Sequence, residues 1–175
     1  MRPGGDVRVD ERIIDLLDAD RILTLVDGRR YILLELPHDT FMDPLPLLKQ
    51  LVARGVCPIV SHPERNRPLV ARANTVDAWL ECGATMQITA GSLTGEFGAT
   101  AQRAGWYWLE TGAAAIVASD AHDVVKRPPR MTRAIDLISK RLGNEIAQRV
   151  CVENPLRVVA GTGLELPDAP DELVF

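Results

Sequence analysis

Short apolar runs alternate along the sequence with longer stretches in which apolar residues recur every three or four positions. The short runs predict β-strands, and the longer stretches predict helices. Several runs are apolar at consecutive positions, which is typical of strands buried on both faces of a parallel sheet. The predicted strands span residues 7–9, 22–26, 31–36, 58–61, 86–89 and 114–118.

The helical stretches carry start and stop signals. Asp43 and Pro44 have the pattern of an N-cap followed by a first helical residue, and Gly55 ends the same stretch. Asn154 and Pro155 predict the start of a short last helix in the same way. The predicted helices span residues 44–54, 68–82, 99–111, 130–142, 144–150 and 155–161.

This alternation predicts an α/β protein, folded either as a doubly wound parallel sheet or as a (β/α) barrel. In both architectures, functional groups lie at the carboxyl ends of the strands. The chain has 175 residues, and 46% of them are hydrophobic, which suits one globular domain. Residues 165–175 are acidic, contain two prolines and are expected to form a loose C-terminal tail.

Charge and cysteine content argue against several classes of protein. The formal net charge of -4 offers no basic surface for nucleic acid. The apolar runs are too short to span a bilayer, and the first residues lack the apolar segment of a signal peptide. Cysteines at positions 57, 82 and 151 are too far apart for a disulfide framework or a zinc knuckle, and they suit a reducing cytoplasm.

Polar side chains stand at the ends of three predicted strands. Glu35 lies in one, His62 ends the next, and Asp120 and His122 follow the last. Taken singly, Glu35 could lie on an edge strand or pair with an arginine, and His62 could cap a turn. Together they are oxygen and imidazole donors that parallel strands would bring to one edge. They therefore predict a divalent-metal site.

Two arginines follow the same strand ends. Arg65 comes three residues after His62, and Arg127 lies in the loop after His122. A metal ion supplies hydroxide and Lewis acidity, and a guanidinium group binds a phosphate oxyanion through paired hydrogen bonds. The combination predicts chemistry on phosphate esters.

Three other features receive a structural interpretation. The C-x5-R spacing from Cys151 to Arg157 occurs in cysteine-based phosphatases, but this loop has no glycine and Pro155 removes an N–H donor. We interpret it as the cap of a helix. The glycine-containing segment 91–98 is interpreted as the turn before the next helix rather than a phosphate-binding nest. His38 is interpreted as a loop residue rather than a ligand.

The sequence resembles the CpsB/CapC-type bacterial protein-tyrosine phosphatases of the PHP (polymerase and histidinol phosphatase) superfamily. Five segments carry the resemblance in order: LLELP, PIVSHPERNR, QITAGSLTGEFG, IVASDAHDVVKRPP and ENPLRVVAG. It implies a distorted, TIM-like (β/α) barrel with a multi-metal centre, usually of Mn²⁺. It also implies hydrolysis of phosphotyrosine on a bacterial tyrosine kinase that regulates capsule or exopolysaccharide biosynthesis.

The resemblance also implies roles for single residues. Arg65 and Arg127 match arginines placed at the substrate phosphate. Asp6 stands where the family's G-x-E-I-R segment has a bridging glutamate. The other residues that match metal ligands are Glu35, His62, Asp120 and His122.

The family domain opens with a His-x-His strand and further ligands, and this sequence contains no His-x-His pair. We therefore expect residues 1–164 to form a partial phosphatase domain without the first βα units, with weakened metal binding and turnover. Exposed strand edges would favour homo-oligomers. Two alternatives stay open: a non-catalytic, degenerate barrel that binds the kinase or itself, and a phosphoesterase for a small phosphate ester.

Overall fold

The structure, a computed structural model, describes residues 3–166. These residues form one parallel sheet in which five strands lie side by side in chain order. A doubly wound sheet would reverse its strand order at a switch point, so this sequential order disagrees with that alternative. The strands are β1 (Asp6–Arg8), β2 (Tyr31–Glu35), β3 (Cys57–Ser61), β4 (Thr85–Thr89) and β5 (Ala114–Ala118).

Each of these strands confirms a predicted one to within a residue at either end. The further strand predicted at residues 22–26 is wrong. That segment enters a 3-10 turn at Leu25–Asp27, in which Val26 has a φ of 55°. The hydroxyl of buried Thr24 accepts a hydrogen bond from the backbone N–H of Arg29. A local bond of this kind fixes a turn that an apolar pattern does not reveal.

The helices follow the strands along the chain. They are α1 (Ile13–Asp18), α2 (Leu45–Ala53), α3 (Arg67–Val70), α4 (Thr75–Glu81), α5 (Ala90–Leu93), α6 (Gly98–Glu110), α7 (Thr132–Leu142), α8 (Asn144–Gln148) and α9 (Asn154–Ala160). The single helix predicted at 68–82 is two helices, because Asn66 caps α3 by accepting from Leu69 N at 2.9 Å and a turn separates α3 from α4. Across residues 3–166, no helix combines the length and apolarity needed to cross a membrane.

The prediction that Asn154 caps the last helix is wrong. Asn154 has helical φ and ψ values of -61° and -44°, and the π-helical segment Arg149–Glu153 connects α8 to α9 without a break. The buried side-chain amide of Asn154 donates to the Ala115 carbonyl of β5 at 2.9 Å and accepts from the backbone N–H of Glu165 at 2.9 Å. Glu165 of the predicted tail is therefore bonded to the domain, and residues 167–175 lie outside the described part of the chain.

The sheet is buried on both faces. In β2, Ile32 and Leu34 pack into the larger apolar cluster with residues of α1, α2, α4, α6 and α7. Tyr31 of the same strand packs on the opposite face, in a smaller cluster that includes Val158 of α9. This alternation is the period of two expected of a strand. Because all strands are parallel, their carboxyl ends meet at one edge of the sheet, where the predicted functional residues lie.

Candidate active site

The carboxyl edge of the sheet gathers the polar residues that the sequence places at strand ends. Glu35 is the last residue of β2, His62 directly follows β3, and Asp120 lies two residues beyond β5. His62 and Asp120 have positive φ values of 34° and 50°. Non-glycine residues rarely adopt this conformation, and such strain is concentrated at functional sites, where the surrounding structure holds it.

A first group of donors consists of Asp6, Glu35, His38 and His62. The Nε2 atom of His62 lies 3.5 Å from Glu35 Oε1 and 3.7 Å from Asp6 Oδ2. His38 Nε2 lies 3.4 Å from the same Glu35 oxygen, and the His38 and His62 rings stack with centroids 5.3 Å apart. Three ligand atoms, one each from Glu35, His38 and His62, are within 4.8 Å of one another, which is close enough to share a cation.

The charge states of this group suit a metal ion. Desolvation, and then the positive charge of Arg65, lowers the pKa of His62 to about 4, so the imidazole is neutral at neutral pH. Burial raises the pKa of Asp6, and the charges of Glu35 and Asp120 raise it further. A hydrogen bond from Ser61 Oγ, at 2.8 Å, opposes this rise. Neutral imidazole beside mutually repelling carboxylates is a donor set that a divalent cation fits.

A second group is built around the Asp120 carboxylate. Its Oδ2 accepts a hydrogen bond from Arg65 Nη1 at 2.8 Å and another from Arg127 Nη2. His122 Nε2 lies 3.2 Å from Arg127 Nη1, and His122 Nδ1 lies 3.7 Å from Asp120 Oδ1. The charge of Asp120 raises the pKa of His62, which couples the two groups electrostatically.

Phe97, at the start of α6, lies against both arginines. The guanidinium carbon of Arg65 is 4.4 Å from the ring centroid, and that of Arg127 is 5.7 Å from it. A Cβ atom on Gly91 would approach Phe97 Cε2 to 2.8 Å, so glycine at this position leaves room for the ring. The two guanidinium groups therefore meet one carboxylate oxygen beside one aromatic ring, an arrangement that can also bind phosphate oxygens.

Two residues at this edge of the sheet, His38 and Glu64, are not predicted from the sequence as members of the site. His38 is a loop residue, as predicted, but it joins the first donor group, and its only sequence signal is the three-residue spacing from Glu35. Glu64 is buried, and its Oε1 accepts from Ser92 Oγ at 2.6 Å and from Thr89 N at 3.0 Å. Its Oε2 has no hydrogen-bond partner within residues 3–166. Burial raises the pKa of Glu64 to about 7.

The structural interpretations of the other two motifs are confirmed only in part: Cys151 to Arg157 is helical but does not cap a helix, and only the second half of segment 91–98 is the predicted turn. Cys151 lies in the π-helical segment and Arg157 in α9, so C-x5-R is helical rather than a phosphate loop. Burial raises the pKa of Cys151 to about 11, the opposite of what a nucleophilic thiolate needs. Segment 91–98 holds most of α5 and the turn that leads into α6.

Comparison with known proteins identifies similar phosphatases. Residues 1–160 match the family described as capsular polysaccharide synthesis, CpsB/CapC. The chain is 33% identical over 145 residues to tyrosine-protein phosphatase YwqE of Bacillus subtilis (strain 168), covering 82% of this chain and 57% of that protein. It is 28% identical over 162 residues to tyrosine-protein phosphatase CpsB of Streptococcus pneumoniae, covering 89% of this chain and 66% of that protein. The chain thus spans less than two thirds of the length of either relative.

The fold is also similar to a solved structure. That structure is described as belonging to YwqE from Bacillus subtilis and CpsB from Streptococcus pneumoniae, unique metal-dependent tyrosine phosphatases. The TM-score is 0.89 at 29% sequence identity, and the match covers 98% of this chain and 70% of that chain. The similarity therefore extends over the sheet and both groups of polar residues at its carboxyl edge.

Proposed function

The chain belongs to the CpsB/CapC family, and we propose that it acts as a metal-dependent protein-tyrosine phosphatase, the activity for which its relatives YwqE and CpsB are named. One observation carries the proposal. Two arginines and a set of carboxylate and imidazole donors, drawn from distant parts of the chain, meet at the carboxyl edge of one parallel sheet. Such a site combines metal ligands with phosphate-binding groups.

In the proposed reaction, Arg65 and Arg127 bind the non-bridging oxygens of the phosphoryl group and offset the charge that grows in the transition state. Both guanidinium groups bind the Asp120 carboxylate in the free protein. A phosphate group offers more oxygens and more negative charge than Asp120 and competes with it for the arginines. The contact of both guanidinium groups with Phe97 restricts their orientation before substrate arrives.

The residues that we assign to metal binding are Asp6, Glu35, His38, His62, Asp120 and His122. A divalent cation at these residues would supply Lewis acidity and lower the pKa of water, which provides a hydroxide nucleophile at neutral pH. His62 keeps its lone pair available at neutral pH because its pKa is lowered to about 4. We propose Mn²⁺ as the metal, since mixed carboxylate and imidazole donors accept it.

We further propose that this chain is cytoplasmic and that its substrate is a bacterial tyrosine kinase that regulates capsule or exopolysaccharide biosynthesis. The family description, capsular polysaccharide synthesis, supports the part of this proposal that concerns capsule. We also propose that residues 1–164 form part of a distorted (β/α) barrel. The sequential order of the parallel strands supports this, as does the match to 70% of the solved relative. Association of copies through exposed strand edges stays a prediction.

Hydrolysis of a phosphotyrosine peptide tests the proposed function. We expect phosphate release that depends on Mn²⁺, stops in EDTA and exceeds release from a sugar phosphate. Arg65→Ala should lower kcat/KM by about a hundredfold, as expected when a group that stabilises transition-state charge is removed. Arg72→Ala is the matched control, because Arg72 also lies over a phenylalanine ring, that of Phe41 at 4.8 Å, but does not contact Asp120. Release that persists in EDTA, or an active Arg65→Ala variant, would contradict the proposal.

A further inference from the structure

A small cavity adjoins the candidate active site at Arg127 and Phe97. It has a volume of about 190 Å³ and is lined by Phe97, Arg127 and residues of α5, α7 and the loop between β5 and α7. None of the six proposed metal ligands lines it. A second cavity, of about 320 Å³, adjoins the site through His38, Arg65 and the same Phe97. The first cavity therefore lies beside the proposed reaction centre and is not that centre itself.

The lining of the first cavity is strongly basic. Besides Arg127, it includes Lys126, Arg130 and Arg133, and these three side chains form no ion pair within residues 3–166. Glu96 is the one carboxylate of the lining, and its Oε1 accepts a hydrogen bond from Thr94. Four cations against one carboxylate give this lining a net positive charge, in a chain whose net charge is -4.

The backbone that presents these cations is ordered by its own hydrogen bonds. The Asp123 carboxylate accepts from the backbone N–H groups of Val125, at 2.7 Å, and of Lys126 and Arg127. Arg133 is held on α7, which begins at Thr132. The backbone positions of Lys126, Arg127 and Arg133 are thus fixed before any ligand binds.

We propose that this cavity is an accessory anion subsite that recognises a second negatively charged group on the phosphoprotein substrate, close to the phosphotyrosine. The inference rests on the proposed function and specifies its substrate class. Arg127 belongs to both the site and the cavity, so a substrate phosphorylated on tyrosine extends from one into the other. The second anion is a carboxylate side chain or a further phosphate, because both are oxyanions that lysine and arginine bind.

Three peptides that share one phosphotyrosine sequence test the subsite. One has neutral glutamine neighbours, one has glutamate neighbours, and one carries a second phosphotyrosine. We expect the wild-type chain to bind and hydrolyse both anionic peptides about five to ten times better than the neutral one, mainly through KM, with the advantage shrinking as salt is raised. A larger advantage for the glutamate peptide identifies the anion as a carboxylate, and a larger one for the doubly phosphorylated peptide identifies it as a phosphate.

In the double variant Arg130→Gln, Arg133→Gln, the ratio of kcat/KM for the anionic peptides to kcat/KM for the neutral peptide should approach one. Lys140→Gln, an exposed charge removed from the same helix outside the cavity, should leave the ratio as in wild type. If the neutral peptide is hydrolysed and neither anionic peptide is preferred, the proposal of an accessory subsite is wrong, whereas the proposed function stands. A preference that survives in the double variant also overturns the subsite. If the wild-type chain hydrolyses none of the three peptides, the proposed function itself fails.

Discussion

Burial shifts two neighbouring residues of the H-P-E-R segment toward their neutral forms. It lowers the pKa of His62 to about 4 and raises the pKa of Glu64 to about 7. A base loses its proton and an acid keeps its proton for the same reason, because the charged form is poorly solvated inside the protein. His62 gains a lone pair for metal binding, whereas Glu64 stabilises the turn through its bonds to Thr89 and Ser92.

The first prediction concerns Glu64 and pH. The unfolded chain ionises this carboxyl near 4.5 and the folded chain only near 7, so the contribution of Glu64 to folding stability should fall as pH rises from about 4.5 to 7. The contribution of His62 has the opposite sign and rises between about pH 4 and 6.5, so the effect of Glu64 is the difference between wild type and Glu64→Gln. The full effect in metal-free protein is roughly 3 kcal/mol, from about 1.4 kcal/mol for each tenfold change. Glu64→Gln should lose this dependence and be the more stable form at pH 8. Urea unfolding in EDTA from pH 5 to 8 measures this pH dependence of the free energy of unfolding, with Glu81→Gln at an exposed position as the control. Identical pH profiles for Glu64→Gln and wild type would show the assignment to be wrong.

The second prediction concerns Phe97. Phe97→Leu keeps an apolar side chain but removes the ring beside Arg65 and Arg127. Each such contact is worth about 0.5–1 kcal/mol, so the loss of both should make inorganic phosphate inhibit the variant roughly five- to thirtyfold less strongly. Competitive inhibition of phosphopeptide hydrolysis by phosphate measures this.

Phe41→Leu is the matched control for Phe97→Leu, because it removes the ring beside Arg72, which does not contact Asp120. Its inhibition by phosphate should equal that of wild type. Equal inhibition of Phe97→Leu and wild type would exclude a role for the ring in positioning the arginines.

At the scale of secondary-structure elements, α9 is attached to the sheet through Asn154. The Asn154 amide donates to the Ala115 carbonyl and to the Glu165 carbonyl, each at 2.9 Å, and accepts from Glu165 N. One buried side chain therefore connects β5, the last helix and the segment that follows it. The smaller apolar cluster depends on this attachment, since Val158 of α9 is part of it.

The third prediction follows from that attachment. Asn154→Ala leaves the buried Ala115 carbonyl without the Asn154 amide and removes both bonds to the Glu165 backbone, which costs about 1–3 kcal/mol of unfolding free energy. Urea unfolding measures the loss. Leu156→Ala is the control on the same helix, because Leu156 is 61% exposed and its truncation should change stability little. An Asn154→Ala variant as stable as wild type would contradict the role given to this side chain.

The sequence predicts those elements and site residues whose signal is local. Glu35, His62 and Asp120 stand out because each interrupts or ends an apolar run. His38 and Glu64 carry no such signal. Their places depend on the left-handed turn at His62 and on packing against β4 and α5, which only the folded chain establishes. The N-cap role predicted for Asn154 is wrong for a similar reason. Asparagine before proline is a common helix start, but the hydrogen-bond partners of the Asn154 side chain lie in distant segments.

At the scale of the whole molecule, a parallel sheet in chain order brings residues as far apart as Asp6 and Asp120 to one edge. Opposite charges are then divided across that edge. Carboxylates and neutral imidazoles lie near β1, β2 and β3, and the unpaired cations lie beyond β5, around the accessory cavity. A phosphorylated segment of protein could thus place its phosphotyrosine at the donors and a neighbouring anion among the cations.

The central claim is that these carboxylate and imidazole side chains together bind a divalent cation. Titration of the metal-free chain with Mn²⁺, followed by the loss of the free-ion electron paramagnetic resonance signal, tests it directly. The account predicts saturable binding that weakens by at least about tenfold in His62→Ala, a variant that removes one ligand. Binding should be unchanged in Asp18→Asn, which removes a carboxylate from a surface ion pair with Arg54. Absence of saturable binding, or equal binding by wild type and His62→Ala, would contradict the account.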